Sequence, residues 1–338
     1  DKELINESTK WTKRYGSSLS SSRLITGNLD KINHIEQLLS NYVKHDKSII
    51  IGNGFLLNAT LIPTITGNSP GKRNKFFIFS DKFNHASINY GCMLSRQKCF
   101  RYNHLDLNHL ESLLKKIPTN VPKIIISETL FSMDGDFLNI NEIRMIAKKY
   151  NCILYLDEAH AIGVYGKIGF GVAADNKKIE NEIIVGTFSK ALGSYGSFVS
   201  CSKKFYNVIV NNCSGLIYST ALPPPVLGSI YASVKKIPKK SVSRRKIKEN
   251  CELVLKCLKK LSFNTGSSNS HIIPIIFDNY NKCKKLCDFF LDRGFYVKSI
   301  RYPTVPMGKE RIRLSLTANM NKKILNNFLK IVKEFRIK

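Results

Sequence analysis

The chain has no apolar run long enough to cross a bilayer, which takes about 18 consecutive residues. It also lacks a charged segment followed by an apolar one at its start, the pattern of a secretory leader. We therefore expect no membrane partner. The sequence begins at Asp1, within a helical pattern and without Met, so we expect the natural N-terminus to lie upstream.

Cysteine motifs are missing as well. None of the nine cysteines forms a Cys-x-x-Cys pair, and no histidine lies at metal-ligand spacing from Cys283 and Cys287. We predict no metal site and interpret all nine as reduced thiols of a cytosol-like, hence cytoplasmic, compartment.

Acidic residues are few, because 25 Asp and Glu stand against 53 Lys and Arg, a net charge of +28. Such a charge can mark an anionic partner, nucleic acid above all. The basic residues are spread along the chain, however, and the densest run, at 235–250, lacks interleaved aromatics. We predict no nucleic-acid partner and interpret the run as a solvated connector leading into a helix.

Apolar, β-branched runs alternate with helical patterns in the first two thirds of the chain. The predicted strands are 48–52, 75–80, 123–128, 152–157, 182–188 and 197–201, and the predicted helices are 32–43, 104–116 and 141–150. Continuous apolar strands separated by helices predict an α/β fold with a mostly parallel sheet between helices.

The pattern changes after three consecutive prolines at 223–225. A long helical stretch, a few short strands and a final helix predict a smaller α+β domain. The predicted elements are helices at 226–261 and up to 292, strands at 270–277, 295–300 and 311–316, and a C-terminal helix. We place the large domain at 1–237 and the small C-terminal domain at 238–338.

Asp157 stands at the carboxyl end of a predicted strand, where open α/β sheets bind ligands. A carboxylate buried there needs a cationic partner, and a protonated pyridine nitrogen is one. His160 follows three residues later. The other interpretation, that Asp157 caps a helix and His160 is a surface residue, stays open from these residues alone.

Lys190 follows the next predicted strand, with Thr187 and Ser189 beside it. In a desolvated site a lysine has a lowered pKa and serves as a Schiff-base nucleophile and later as a base. Gly54 and Phe55 precede a helix whose N-terminus could hold a phosphate. His85, after another strand, could stack on a ring. Together these positions predict a pyridoxal 5'-phosphate (PLP) site.

Five stretches carry a wider resemblance: SETLFSMDGD, LDEAHAIGVYGKIGFG, GTFSKALGSYG, LIYSTALPPP and IRYPTVPMGKERIRLSLTA. In this order they resemble the α-oxoamine synthases, PLP enzymes that condense an amino acid with an acyl-CoA and release CO2. The resemblance covers nearly the whole chain. It implies PLP-dependent transferase fold type I, an acyltransferase activity and a homodimer.

The resemblance assigns catalytic roles to Lys190, Asp157, His85 and His160, and a cofactor contact to Ser132. Lys190 would bind the cofactor covalently and then act as the base. Asp157 would pair with the ring nitrogen, and His85 would stack on the ring. Ser132 and His160 would contact the phenolic oxygen.

Other positions would hold the phosphate and the substrates. Gly54, Phe55 and Thr187 would bind the phosphate, while Ser219 and Thr220 would reach that of the neighbouring subunit. Thr304 would lie on the substrate side together with Ser22, and Glu128 also matches an active-site position. The motif combination favours L-alanine and a pimeloyl thioester, on CoA or a carrier protein, as substrates.

The sequence departs from the family at several points. Asn53 and Ile32 replace a usual Ser or Thr and a usual His, and the stretch at 14–27 has lost several glycines. The family's upstream segment carries an Asn-Asp-Tyr-Leu-Gly motif and an arginine for the acyl carboxylate. Three alternatives stay open: a family member with glycine or serine and another acyl-CoA, an impaired homologue, and a nucleic-acid-binding protein on an inactive scaffold.

Overall fold

The computed structural model describes residues 1–69, 72–73 and 75–335. The chain divides into two compact units: a large one of 1–130 and 138–240, and a small one of 131–137 and 241–338. The predicted boundary at 237–238 lies close to the junction at 240–241, where the chain passes from the large unit to the small one. Segment 131–137 belongs to the small unit although it lies far upstream in the sequence.

The large unit alternates strands and helices. Its helices are α1 (Lys2–Tyr15), α2 (Asp30–Val43), α3 (Gly54–Ile65), α4 (Ala86–Leu94), α5 (Leu107–Leu114), α6 (Ile140–Lys149), α7 (Lys203–Asn212), α8 (Ser214–Ile217) and α9 (Pro224–Lys236). Its strands are β1 (Lys47–Ile51), β2 (Asn68–Ser69), β3 (Lys72–Arg73), β4 (Phe77–Asp81), β5 (Lys98–Tyr102), β6 (Lys123–Glu128), β7 (Cys152–Asp157), β8 (Glu182–Thr187) and β9 (Ser197–Cys201).

Seven strands form the main sheet, in the order β1-β9-β8-β7-β6-β4-β5. The pairs from β8 to β5 are parallel, and β9 runs antiparallel to both β8 and β1. All six predicted strands are present. Sequence analysis missed β5, because this edge strand has exposed Lys98 and Cys99 and so lacks the continuous apolar pattern.

Helices cover both faces of the sheet, which explains the apolar strands. One core cluster joins the sheet to residues of α1, α2, α5, α6 and α9. A second joins the other face to α3, α4, α7 and α8. The α/β class, with a mostly parallel sheet sandwiched by helices, is confirmed, and no helix of the described residues is long and apolar enough to cross a membrane.

The direction of the parallel strands separates two edges of the sheet. The carboxyl edge carries the last residues of β4, β6, β7 and β8, which are Asp81, Glu128, Asp157 and Thr187. The amino edge carries the first residues of the same strands, including Glu182. Both edges thus bear buried polar groups.

The small unit is an α+β structure with a three-stranded antiparallel sheet in the order β10-β12-β11. Its elements are α10 (Ser241–Lys260), β10 (Ile272–Ile276), α11 (Tyr280–Leu291), β11 (Ser299–Ile300), β12 (Arg311–Ser315) and α12 (Lys322–Glu334). Gly135 lies against β10 with φ +70°, and a Cβ there would be 1.9 Å from the Ile272 carbonyl oxygen. Only glycine allows this approach.

Two predictions beyond residue 223 are wrong in detail. The expected continuous helix at 226–261 is interrupted by a 3₁₀ turn, Ile237–Lys239, because Pro238 has no N–H to continue the α-helix. The expected strand at 295–300 pairs only at Ser299 and Ile300.

Candidate active site

Buried carboxylates line the carboxyl edge, and two of them are satisfied internally. Asp81 accepts hydrogen bonds from the amides of Phe83 and Leu105 and lies 3.0 Å from His104 Nδ1. Glu158 accepts from the Thr129 hydroxyl at 2.8 Å and the Ala173 amide at 2.6 Å. We interpret both as supports of the loops around the site.

Asp157 is 6% exposed and only partly satisfied. Its Oδ1 accepts from the Ala159 amide at 2.9 Å, and its Oδ2 accepts from Asn58 Nδ2 at 3.0 Å. An ionised carboxylate can accept about four hydrogen bonds, and no ion pair within the described residues involves Asp157. A turn follows the strand, so the helix-cap interpretation of Asp157 is wrong. The carboxylate retains capacity for a cationic N–H.

His85 caps helix α4 with its ring. Its Nδ1 accepts from the Ser87 amide at 3.2 Å and lies 2.8 Å from the Ser87 hydroxyl. An N–H donor pointing at Nδ1 places the proton of the neutral ring on Nε2. Burial lowers the pKa of His85; the nearby Asp157 opposes the shift and Lys190 adds to it. His85, Asp157 and Lys190 therefore share one electrostatic environment.

Glu128 lies beside Asp157 in the parallel register of β6 and β7. It is 3% exposed, and its Oε1 accepts from the His85 amide at 2.6 Å. Burial, reinforced by the Asp157 charge, raises the pKa of Glu128 to about 8. At neutral pH this side chain is thus mostly a neutral acid, so it adds little negative charge beside Asp157.

Lys190 lies beyond the end of β8 with its Nζ 3.0 Å from His160 Nε2. The structure therefore brings these two predicted residues together. The lysine side chain is exposed in the single chain, which contradicts the expected desolvated environment, since the loop carries it past the end of the buried strand. The loop leads back into β9 at Gly196, whose φ of +113° favours glycine. A Cβ at this position would lie only 2.8 Å from Leu222 Cδ1, so a larger residue would clash.

Two groups predicted to hold a phosphate differ in their availability. Thr187 uses its hydroxyl internally, donating to the Gly196 carbonyl at 2.9 Å. The amides of Gly54 and Phe55, in the first turn of α3, have no acceptor among the described residues, as is normal for a helix N-terminus. The position of a Cβ on Gly54 has no atom within 4 Å, so an anion can approach.

Asn53, one of the departures from the family, connects two parts of the site. Its side-chain oxygen caps α3 by accepting from the Leu56 amide at 3.0 Å. Its Nδ2 donates to the Tyr195 hydroxyl at 2.9 Å, on the loop that carries Lys190. A serine or threonine could cap the helix, but its shorter side chain would have to use one hydroxyl both as cap and as donor to the loop.

The structure also brings Ser22 and Thr220 together, through an isolated antiparallel bridge. Thr220 is exposed and Ser219 half-buried. Arg23 forms an ion pair with the buried Glu36, so its charge is satisfied within the chain.

Ser132 and Thr304 belong to the small unit. The Ser132 carbonyl accepts from Arg313 Nε at 2.5 Å, and exposed Thr304 donates its amide to the Arg301 carbonyl at 3.0 Å. Sequence analysis missed Arg313. Burial lowers the pKa of this guanidinium, and no carboxylate of the described residues pairs with it.

Asn58 was missed too, although a sequence signal existed. It is the polar residue at the centre of GFLLNATLIPTI, the apolar sequence of α3, and it is 3% exposed. A polar side chain buried on such a helix must have partners. They are Asp157, Ser87 and Tyr155.

The residues present fit a PLP-type cofactor. Asp157 offers acceptor capacity to a ring N–H, the α3 N-terminus offers free amides to a phosphate, and Lys190 offers an amine. A neutral His85 ring lies within the same electrostatic environment. The set is chemically complete for a cationic ring that carries a phosphate.

Comparisons with known proteins agree with this chemistry. Residues 2–332 match the family described as aminotransferase class I and II. An 8-amino-7-oxononanoate synthase from Gluconacetobacter diazotrophicus is 34% identical over 326 residues, covering 96% of this chain and 81% of the relative.

Solved structures give the same result for the fold. A serine palmitoyltransferase from S. paucimobilis, with a bound PLP–myriocin aldimine, superposes with a TM-score of 0.91 at 26% identity, over 98% of this chain and 82% of that one. An 8-amino-7-oxononanoate synthase from Francisella tularensis superposes with a TM-score of 0.83 at 24% identity, over 98% and 92%.

The cofactor is therefore PLP, and the chemistry is that of an acyl-transferring enzyme. With the match extending over almost its entire length, the chain belongs to the aminotransferase class I and II family.

Proposed function

We propose that the chain condenses L-alanine with a pimeloyl thioester, on CoA or a carrier protein, to give 8-amino-7-oxononanoate and CO2 in biotin biosynthesis. The relative of that name, at 34% identity over 96% of the chain, is the observation that carries the proposal. The residues at the carboxyl edge support it, because they supply a base, an anionic partner for the ring and a phosphate site. We place the reaction in the cytoplasm.

Lys190 is the proposed base. Its Nζ takes the proton from Cα of the amino acid, and His160 Nε2, 3.0 Å away, orients the amine through a hydrogen bond. A base at the end of a short loop can reach a substrate without moving the sheet. The exposure of Lys190 in the single chain leaves it accessible to incoming amino acid.

Asp157 and His85 act on the ring. When bound, PLP delocalises the negative charge that develops at Cα of the amino acid. Asp157 would pair with the ring N–H and so favour the protonated ring nitrogen, and the neutral His85 ring would stack on the cofactor. Ser132 and His160 would hold the phenolic oxygen, and Glu128, whose pKa is raised to about 8 by burial, would add little charge beside Asp157.

The phosphate would be held by the α3 N-terminus and by a second copy of the chain. Large exposed side chains cluster in sequence near α3 and α4: Phe55, Tyr90, Met93 and Leu94 are 49%, 49%, 64% and 49% exposed. Phe55 and Tyr90 contact each other, with ring centroids 5.4 Å apart. Exposed apolar groups of this kind favour a covered surface, so we propose a homodimer in which Ser219 and Thr220 reach the partner's phosphate site.

Arg313 is our candidate for binding the amino-acid carboxylate, with Thr304 and Ser22 as further substrate contacts. A half-buried guanidinium without a carboxylate partner among the described residues is costly unless a ligand supplies one. Arginine binds carboxylates through two parallel hydrogen bonds.

A second candidate is the condensation of serine with a longer acyl thioester. The serine palmitoyltransferase structure superposes with a higher TM-score than the 8-amino-7-oxononanoate synthase structure, 0.91 against 0.83. Against it stands the higher sequence identity to the G. diazotrophicus relative, 34% against 26%.

A parallel assay separates the two candidates. The PLP-loaded protein is given alanine, serine or glycine, each with pimeloyl-CoA, pimeloyl carrier protein or palmitoyl-CoA, and thiol release and CO2 are measured. We expect turnover with alanine and a pimeloyl thioester only. Preference for serine with palmitoyl-CoA would overturn the proposal in favour of the second candidate, and no thiol release with any pair would overturn both.

A further inference from the structure

Asn58 occupies the centre of the hydrogen-bond network behind the candidate site. Its side chain lies on α3 and reaches two other elements of the large unit, β7 and α4. The Nδ2 donates to Asp157 Oδ2 and to the Ser87 hydroxyl, both at 3.0 Å. The Oδ1 accepts from the Tyr155 hydroxyl at 2.5 Å. Every member is buried, with exposures of 6% or less.

The orientation of the amide follows from the chemistry of its neighbours. An ionised carboxylate can only accept, so the amide must turn its NH2 group towards Asp157. Its oxygen then faces Tyr155, which must donate. The other Nδ2 hydrogen occupies the Ser87 oxygen, so the Ser87 proton is directed to His85 Nδ1, 2.8 Å away.

The network therefore couples two groups with different tasks. Asp157 is the anionic partner of the ring nitrogen, and His85 presents its ring to the cofactor. Asp157 and His85 belong to different elements, and the Asn58 amide contacts Asp157 directly and His85 through Ser87.

We propose that Asn58 is a positioning residue, which aims the Asp157 carboxylate and, through Ser87, fixes the His85 ring in its Nε2–H tautomer for PLP binding. The inference rests on the proposed PLP-enzyme roles of these two residues. It does not depend on which amino acid or acyl thioester the enzyme uses.

Asn58→Asp tests the role by replacing only the side-chain NH2 group with an oxygen atom. The new side chain keeps the size and the acceptor for Tyr155, but above neutral pH it faces Asp157 with a second negative charge. At lower pH a proton shared between the two carboxylates restores a donor. We measure the Kd of PLP by titrating the cofactor-free full chain between pH 5.5 and 8.5, without any substrate.

The expected result is a ratio of variant Kd to wild-type Kd that is close to one at pH 5.5 and rises to at least about tenfold at pH 8.5. Glu128 on β6, His85 at the start of α4 and Lys190 after β8 also titrate or carry charge near Asp157. Because these groups are present in both proteins, their contributions largely cancel in the ratio of the two Kd values at each pH.

Two further variants separate positioning from packing. Asn58→Ala should weaken PLP binding by about tenfold at every pH. Thr64→Val is the matched control, since Thr64 is 6% exposed on the same helix and its hydroxyl bonds only the Thr60 carbonyl. It should leave the Kd unchanged.

Ser87→Ala removes the link from Asn58 to His85 and leaves the bond from Asn58 to Asp157. It should alter the pH dependence of the bound-cofactor absorbance, which responds to His85, while weakening PLP binding less than Asn58→Ala does. A Kd ratio for Asn58→Asp that is independent of pH would overturn the inference, as would equal losses for Asn58→Ala and Thr64→Val. Because no substrate is present, a wrong substrate assignment would not affect any of these results.

Discussion

The two edges of the main sheet both bury charge, but they treat it differently. At the amino edge, Arg144 Nε and Nη2 donate to the two oxygens of Glu182 at 2.7 and 2.6 Å, and the exposures are 4% and 0%. At the carboxyl edge, Asp157 and Glu128 lie side by side without a cation paired to either by an ion pair of the described residues. Opposite charges paired inside the chain indicate a structural role, whereas the Asp157 carboxylate, which retains acceptor capacity, indicates a ligand.

Histidines at the two edges show the same contrast. Burial lowers the pKa of His45, at the amino edge, to about 3, with Lys178 reinforcing the shift. Its Nε2 has no partner among the described residues. His85, at the carboxyl edge, is held by Ser87 and is close to Asp157 and Lys190. The first histidine is fixed as a neutral, packed side chain, and the second belongs to a charged environment.

The largest expected effect comes from Lys190→Ala at the carboxyl edge. Loss of the base should reduce thiol release by at least about 10³-fold and remove covalent cofactor attachment, seen as a lost absorbance shift on mixing with PLP. The exposed position predicts a change in the free energy of unfolding of no more than about 0.5 kcal/mol. Lys204→Ala, an exposed lysine on α7, is the control; normal turnover by the Lys190 variant would contradict the mechanism.

Arg144→Met breaks the pair at the other edge. Glu182 would remain buried without its cation, so the free energy of unfolding should fall by about 3–5 kcal/mol, measured by urea denaturation. Activity per folded molecule should not change. Adding Glu182→Gln should recover much of the loss, because the cost arises from an unpaired charge; a double variant as unstable as the single one would instead indicate lost packing.

Raising the pH should weaken the carboxyl edge. The folded-state pKa of Glu128 is about 8, above its ordinary 4.5, so the folded chain holds this proton more tightly. The resulting stability is fully present below about pH 4.5 and is lost as the pH rises through 8, on the order of 5 kcal/mol in all. Glu128→Gln keeps the acceptor for the His85 amide and should flatten the pH dependence in urea unfolding between pH 6 and 8.5. An unchanged slope would contradict the assignment of the proton to Glu128.

Lowering the pH should weaken the amino edge, with the smallest effect. The folded-state pKa of His45 is depressed to about 3 from 6.5, so its contribution is present above pH 6.5 and is lost as the pH falls. The slope cannot exceed about 1.4 kcal/mol per pH unit for one group. In urea unfolding, His45→Asn should reduce the change in the free energy of unfolding with pH between pH 6.5 and 5. The same slope in both proteins would show that other groups cause it.

The sequence was sufficient for six of the seven strands of the main sheet and for the residues at their ends. Apolar runs located six strands, and the polar residues that follow them, Asp157 and Lys190, were identified because the carboxyl ends of parallel strands meet at one edge. The edge strand β5 was missed, since half of its side chains face solvent.

The network around Asn58 could not be predicted from the sequence. It joins residues 29 and 99 positions apart, and these contacts depend on how α3 packs against α4 and β7. The exposure of Lys190 in the single chain could not be predicted for a similar reason, because burial of a loop depends on what packs over it and not on the local sequence pattern.

The bond between Asn53 and Tyr195 has a mechanical consequence. It connects the start of α3 to the loop that carries Lys190. In this chain a single side chain therefore contacts both the helix and the loop, and its substitution would change the surroundings of both at once.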